Sequence, residues 1–426
     1  MEHRPFFQRT GTLFAVLVLA HLAFIACMPA TWSYDVDCWI EVARVLREAG
    51  NPYVLTDHLH TAPFWPAVIR VLDLISALTG ASFVHCLQGL LTLVDAVNLL
   101  LVQRLLARSG ASENSAKPIL LGLALSPISI LLAGQHGNFD PLLATWLLLF
   151  IGALWSHHAS GTSRSWLLAC FLLGMGVFTK TVPLLLGPLL LISPWSRGLP
   201  TALMGLFLLL APTIIGLLPL YLVDAQSVRH DVFEYRSLPG WFGVTGLLQV
   251  VGWERLANLY ARAGLLVILT LMASAAWRAT RHQTMDNIVT LRLALFLLLG
   301  LIVFGPGYSP QYIAWFLPLL VVLYTLTDAK EQRVLSIAYL VCTCTYVMEY
   351  ALIPSHGAFL LHWTSSSTII DISEALREPG VQTLLRIPLF LAYLVVLFTV
   401  ARPLLATRTG GPIHVSPSDA ASTFTP

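Results

Sequence analysis

Charge is what this sequence lacks most. Only 11% of its 426 residues are Asp, Glu, Lys or Arg, against roughly 25% in a typical soluble protein. Hydrophobic residues take up 57% and the mean hydropathy is +0.76. That composition excludes the two or three soluble domains a chain of this length would ordinarily form. A net charge of +2 is too small to imply nucleic acid. The six cysteines (27, 38, 86, 170, 342 and 344) contain no C-x-x-C and lie mostly in apolar sequence. They read as small hydrophobes, which excludes a disulfide framework and a zinc site. Walker A, dinucleotide and nucleophile-elbow motifs are missing, and a nucleotide-sugar domain has no room. His58-Leu59-His60 has no fixed carboxylate partner and is weak evidence for metal, so neither cofactor nor metal is expected.

What is present is long hydrophobic runs. Twelve spans are expected, near 10–30, 83–107, 117–133, 138–156, 165–179, 182–194, 201–222, 259–277, 289–305, 311–326, 334–353 and 384–401. Only helices satisfy their own backbone in lipid over such lengths, and the runs lack the alternation of a transmembrane barrel. The expectation is an all-α polytopic membrane protein, residues 1–402 forming one transmembrane domain. The fifth and sixth runs are alternatively one broken helix. Arg4 and Arg9 before the first run mark an uncleaved span. The Ser/Thr/Pro/Gly-rich tail at 403–426 reads as a disordered cytoplasmic tail. Segment 63–79 carries Arg70 and Asp73 and is amphipathic, so it is expected to lie in the membrane interface.

The charge distribution tests that choice. With 63–79 not crossing, the cytoplasmic ends collect fourteen of the 24 basic residues, from Arg4 and Arg9 to Arg402 and Arg408, but six of the 22 acids. Both termini are then cytoplasmic. The long loops 31–65, 223–258 and 354–383 fall outside, together with the turns 134–140, 179–180 and 305–312. Six polar features on one face suit an outward-facing enzyme. A transporter would more naturally show paired inverted halves and midplane charges.

The first outer loop holds Asp35-Val36-Asp37 ahead of an expected amphipathic helix at 38–49, stopped by Gly50-Asn51-Pro52. Either aspartate is a candidate general base; the plainer reading makes Asp37 the N-cap and Asp35 a solvated acid. His136, Asn138 and Asp140 cluster in a turn whose Asp-Pro pair is explained by helix capping alone. Lys180 is the only lysine on the outer side and is flanked by apolar sequence. It either snorkels or meets an anion such as phosphate. Arg229, His230 and Arg236 breach the positive-inside trend, unless Asp231 and Glu234 pair with them. Tyr308, Gln311 and Tyr312 head another span, where an aromatic belt is the alternative.

Together, and in this order, these stretches resemble the GT-C superfamily of integral-membrane glycosyltransferases, from about residue 31 to 320. The likeness is greatest to GPI mannosyltransferase I and its bacterial polyprenyl-phosphate-mannose-dependent relatives. It rests on D-V-D at 35–37, A-R-x-L-x-x-x-G-x-P-Y ending at Tyr53, LVDAVNLLLVQRLL, LSPISILLAGQHGNFD, FTKTVPLLLGPL, RHDVFEYRS and SPQYIAWFLPLL. The resemblance implies inverting transfer of a hexose, mannose first, from a polyprenyl-phosphate donor to a lipid or glycan acceptor hydroxyl on the outer or lumenal face. It implies that Asp35 or Asp37 is the base, with Asp35 preferred. Lys180, Arg229, His230 and Arg236 would hold the donor phosphate; His136, Asn138, Asp140, Tyr308, Gln311 and Tyr312 would line the pocket. HTAPFWP lacks the Tyr that relatives often place before the Pro, and GQHGNFD equally resembles the lipid-linked-oligosaccharide glucosyltransferases, so glucose is the alternative sugar. The competing classes are a lipid-linked-sugar flippase and an inactive assembly subunit. The absence of an Asn-x-Ser/Thr sequon on the outer loops favours a bacterial plasma membrane over the endoplasmic reticulum.

Overall fold

The computed structural model describes residues 10–27, 32–56, 59–192, 198–234, 243–281, 286–364 and 366–405. His58, Arg236 and the tail from 406 lie outside them. The principal helices are α1 (Thr10–Cys27), α2 (Tyr34–Arg47), α3 (Phe64–Thr79), α4 (Phe83–Arg108), α5 (Glu113–His136), α6 (Asp140–Ser160) and α7 (Ser163–Thr179). They continue with α8 (Leu199–Val223), α9 (Glu254–Arg262), α10 (Gly264–Arg281), α11 (Asn287–Phe304), α12 (Ile313–Leu326), α13 (Ala329–Leu352) and α14 (Ile387–Leu405). No strand occurs among the described residues.

Each of the twelve expected spans falls on a helical segment. Among the described residues eight helices are long and apolar enough to cross a membrane, nine if α9 and α10, bent by 51°, make one span. The fifth and sixth runs are separate. After Lys180 the chain turns back as a 3-10 helix, Val182–Ile192, and Trp166 at the start of α7 donates to the Leu190 carbonyl at 3.2 Å. Two details depart from the sequence reading. The helix in the first loop starts at Tyr34 with Ser33 as N-cap, so Asp35 and Asp37 occupy its first turn rather than precede it. The last helix continues past 403 to Leu405. Pro403 removes the N–H that would bond the Thr399 carbonyl, and Arg292 takes that carbonyl at 3.2 Å.

A small apolar layer forms under the first loop. Val36, Trp39, Val42 and Ala43 recur at helical spacing and are buried against Trp65, Ile69 and Leu72 of α3. Trp65 stacks on Phe139 at 4.8 Å, which seats both helices on the turn before α6. Asp73, buried on α3, joins α2 through Arg47, whose Nε lies 3.2 Å away, and takes Arg70 at 2.8 Å. At 16 residues α3 is about 24 Å long, short of the roughly 30 Å hydrocarbon core.

Two acids in the spans find partners. Asp95 on α4 takes His21 of α1 at 3.3 Å and Ser129 of α5 at 2.5 Å. Glu349 on α13 is fully buried and meets Arg386 in a two-pronged pair at 2.6 and 2.9 Å. Removing one partner of such a pair strands the other charge, which costs about 3–5 kcal/mol. Arg386→Leu is therefore expected to lower the thermal unfolding midpoint in detergent strongly, and adding Glu349→Leu to recover most of the loss.

Candidate active site

The site grows from one wide turn. α5 is interrupted before Pro127 and ends in the turn Leu132–His136, closed by Gly137. Gly137 adopts φ +66°, a conformation glycine reaches without cost, with Val36 packed where a side chain would stand. Phe24 of α1 covers Gly134, and Gln88 donates to the Gly134 carbonyl at 2.5 Å. α2 is tied to the same turn: Ser33 Oγ donates to the His136 carbonyl at 2.7 Å, and Trp39 Nε1 to the Gly137 carbonyl at 3.0 Å.

That seating brings Asp35 into the turn. His136 Nε2 lies 2.9 Å and Asn138 Nδ2 2.6 Å from the same carboxylate oxygen, Oδ2. The Asp35 side chain is 29% exposed, and Oδ1 has no partner among the described residues. Burial by itself raises the Asp35 carboxyl, but the electrostatic pull of His136 and the hydrogen bonds from His136 and Asn138 outweigh it and hold it below the ordinary carboxylate range. Asp37 points elsewhere: it is exposed and accepts from Trp32 Nε1 at 2.7 Å.

Asn138 carries the connection onward. Its Oδ1 accepts the Asp140 backbone N–H at 3.0 Å. Asp140 is fully buried as the first residue of α6, with no capping bond from its side chain. The capping explanation is thus replaced by a tertiary one: Asp140 Oδ1 receives Lys180 Nζ at 3.0 Å, and Oδ2 is buried without a partner. The ammonium also sits over the rings of Tyr312, Trp315 and Phe139, at 4.7, 4.9 and 5.3 Å. Lys180 therefore neither snorkels nor stands alone. It is a caged cation with one anionic neighbour.

The other expected residues divide. Tyr312 belongs to the Lys180 cage and stacks on Trp315 at 3.9 Å. Gln311 is buried and accepts from Ser309 Oγ. Tyr308 is buried edge-on against Tyr393 at 5.6 Å. Arg229 pairs with Glu234 at 2.6 Å and His230 with Asp231 at 3.0 Å, as the acids of that loop allowed. Among the described residues no group of His, Cys, Asp and Glu could hold a metal ion. A cavity of about 500 Å³ between α5, α12 and α13 is lined by Gly122, Leu317, Tyr324 and Tyr339. It lies away from Asp35, so cavity size does not locate the chemistry.

Several site residues escaped the sequence reading. Tyr350 bonds His136 Nδ1, and Tyr346 donates to the Tyr350 hydroxyl at 3.0 Å. His356 stacks on Tyr350 at 5.1 Å and His136 at 6.0 Å. Burial first, then the electrostatic effect of Arg386 and His136, pushes its imidazole well below the ordinary value. The signal was there: Tyr346, Glu349 and Tyr350 stand three and four apart in an apolar span, which puts one polar stripe inside the bundle.

No family model matches this chain, and no curated protein does. Among solved structures it is similar to the crystal structure of ArnT from Cupriavidus metallidurans bound to undecaprenyl phosphate. The TM-score is 0.53 at 15% identity, covering 92% of this chain and 78% of that one. The chain thus shares the polytopic helical membrane fold of that ArnT structure.

Proposed function

We propose that this protein is a membrane glycosyltransferase that takes its sugar from a polyprenyl-phosphate donor, with inversion at the anomeric carbon. The observation that carries the reading is the Asp35 carboxylate. Two donors grip Oδ2 while Oδ1 stays open, and a hydrogen-bonded path through Asn138 and Asp140 leads to the caged Lys180. In the reaction the acceptor hydroxyl oxygen bonds to the anomeric carbon as its proton passes to Asp35 Oδ1. The bond from that carbon to the phosphate oxygen breaks, and the polyprenyl phosphate leaves with both electrons. Lys180 supplies positive charge where that phosphate develops its own negative charge. The shared fold with a structure bound to undecaprenyl phosphate supports a lipid-phosphate donor.

The finer assignments follow the family resemblance. Mannose is the expected sugar and glucose the alternative, delivered to a lipid or glycan hydroxyl on the outer face of a plasma membrane. Arg229, His230 and Arg236 are assigned to the approach of the lipid phosphate, and Tyr308, Gln311 and Tyr312 to the pocket wall. The test is transfer by purified protein in detergent, offering polyprenyl-phosphate-mannose, polyprenyl-phosphate-glucose and GDP-mannose. Turnover is expected with a lipid-linked sugar and none with GDP-mannose. Movement of labelled lipid across liposome bilayers without any transfer would replace this reading with a flippase.

A further inference from the structure

The hydrogen-bond directions behind Asp35 specify where a proton sits. Tyr346 and Tyr350 lie one turn apart on α13, both fully buried. The Tyr346 hydroxyl donates to the Tyr350 oxygen, which leaves the Tyr350 O–H to be spent on His136 Nδ1. A nitrogen that accepts from a phenol carries no proton, so the imidazole proton is on Nε2, facing Asp35 Oδ2 at 2.9 Å. In the opposite tautomer Nδ1–H would point at Tyr350, and a nitrogen lone pair would confront a carboxylate oxygen. Each link in the chain then donates towards Asp35: Tyr346 to Tyr350, Tyr350 to His136, His136 to the carboxylate. Asn138 adds a second donor from the side.

We infer that Tyr350, with Tyr346 behind it, is a positioning residue for the base: its hydroxyl engages His136 Nδ1 and so turns Nε2–H towards Asp35. This rests on the reading of Asp35 as the base. The arrangement keeps one carboxylate oxygen fixed and leaves the other for the acceptor hydroxyl. It also gives a role to the hydroxyls of two fully buried tyrosines. The other charges around the His136 ring already have partners. Glu349 is matched by Arg386, Asp140 by Lys180, and His356, stacked on the His136 ring, has its imidazole pushed well below the ordinary value. Asp37, on the same helix as Asp35, is exposed and bonded to Trp32.

Tyr350→Phe keeps the ring and removes only the hydroxyl. It is expected to lower kcat about tenfold, the worth of one hydrogen bond, with the donor KM unchanged. It should also raise the acid limb of the kcat/KM profile, because the His136 proton is free to move from Nε2 to Nδ1, where it no longer reaches Asp35. Tyr346→Phe should move both in the same direction by less. A second readout needs no turnover: nitrogen NMR of histidine-labelled protein in detergent, with the His136 signal assigned by its loss in His136→Gln. Wild type should show the Nε2–H form and Tyr350→Phe a mixture. An unchanged His136 signal in Tyr350→Phe, or a lower kcat with no shift of the acid limb, would overturn the inference. If wild type transfers no sugar but the tautomer responds as expected, the positioning stands and the transferase reading fails.

Discussion

Asp35→Asn is expected to lower sugar transfer by about 10²–10⁴-fold, the range a positioned general base contributes, while Asp37→Asn leaves it within about twofold. The two aspartates are two positions apart in sequence and chemically identical. The helix separates them: two positions along α2 is a rotation of about 200°, so one carboxylate enters the turn at His136 and the other faces away towards Trp32. The amide in Asp35→Asn keeps the shape and accepts from Asn138, but it takes no proton at the pH of the assay. Parallel loss in both variants, or loss only in Asp37→Asn, would remove Asp35 from its role. The pH dependence has a defined sign. The base works ionised, and its carboxyl is held below the ordinary carboxylate range. Transfer should therefore persist as the pH falls through that range and decline only below it. The same linkage makes the stabilising contribution of Asp35 present above its unfolded value and lost as the pH drops through the lowered folded one. Asn138→Ala removes one of the two donors on Oδ2 and should bring the acid limb upwards, towards the ordinary value.

The fold was legible from composition and run length because lipid leaves a hydrophobic chain few architectures, and all twelve runs are helical. The start of α2 was placed four residues late. Taking Asp35 and Asp37 as pre-helical acids overlooked that acids are favourable in a first turn, and that Val36 already begins the apolar stripe continued by Trp39, Val42 and Ala43. Pairings across long sequence separation were out of reach. Asp140 and Lys180 are 40 residues apart, Glu349 and Arg386 37, and each member has a local explanation that pattern reading favours. Asp140 reads as a helix cap and Lys180 as a snorkelling cation, because only the folded chain shows that each is nearer the other than water. Tyr350 lies 214 residues from His136; its stripe with Tyr346 and Glu349 marks an inward polar face, but nothing local says that this face meets His136.

Lys180→Met should lower kcat by about 10²–10³-fold, the scale of losing one preorganised group that meets developing charge, with a smaller change in the donor KM. The argument turns on where the ammonium is held. Three rings and one carboxylate oxygen surround Nζ, so its position is set before any donor arrives and little reorganisation is left for the reaction. Asp140 does not cancel the cation's use. Its fixed anion pairs with the ammonium in an apolar setting, and the negative charge that grows on a leaving phosphate gives Lys180 a second partner on its 16%-exposed side. The single variant has an obvious complication, because it strands a buried carboxylate and is expected to destabilise the fold. Adding Asp140→Asn removes that charge too. The double variant should regain most of the thermal midpoint in detergent and none of the turnover, which separates a catalytic loss from an unfolded protein. Recovery of transfer alongside stability would mean that the Lys180–Asp140 pair only holds α6 against α7, and the phosphate contact would pass to the basic loop at Arg229 and His230.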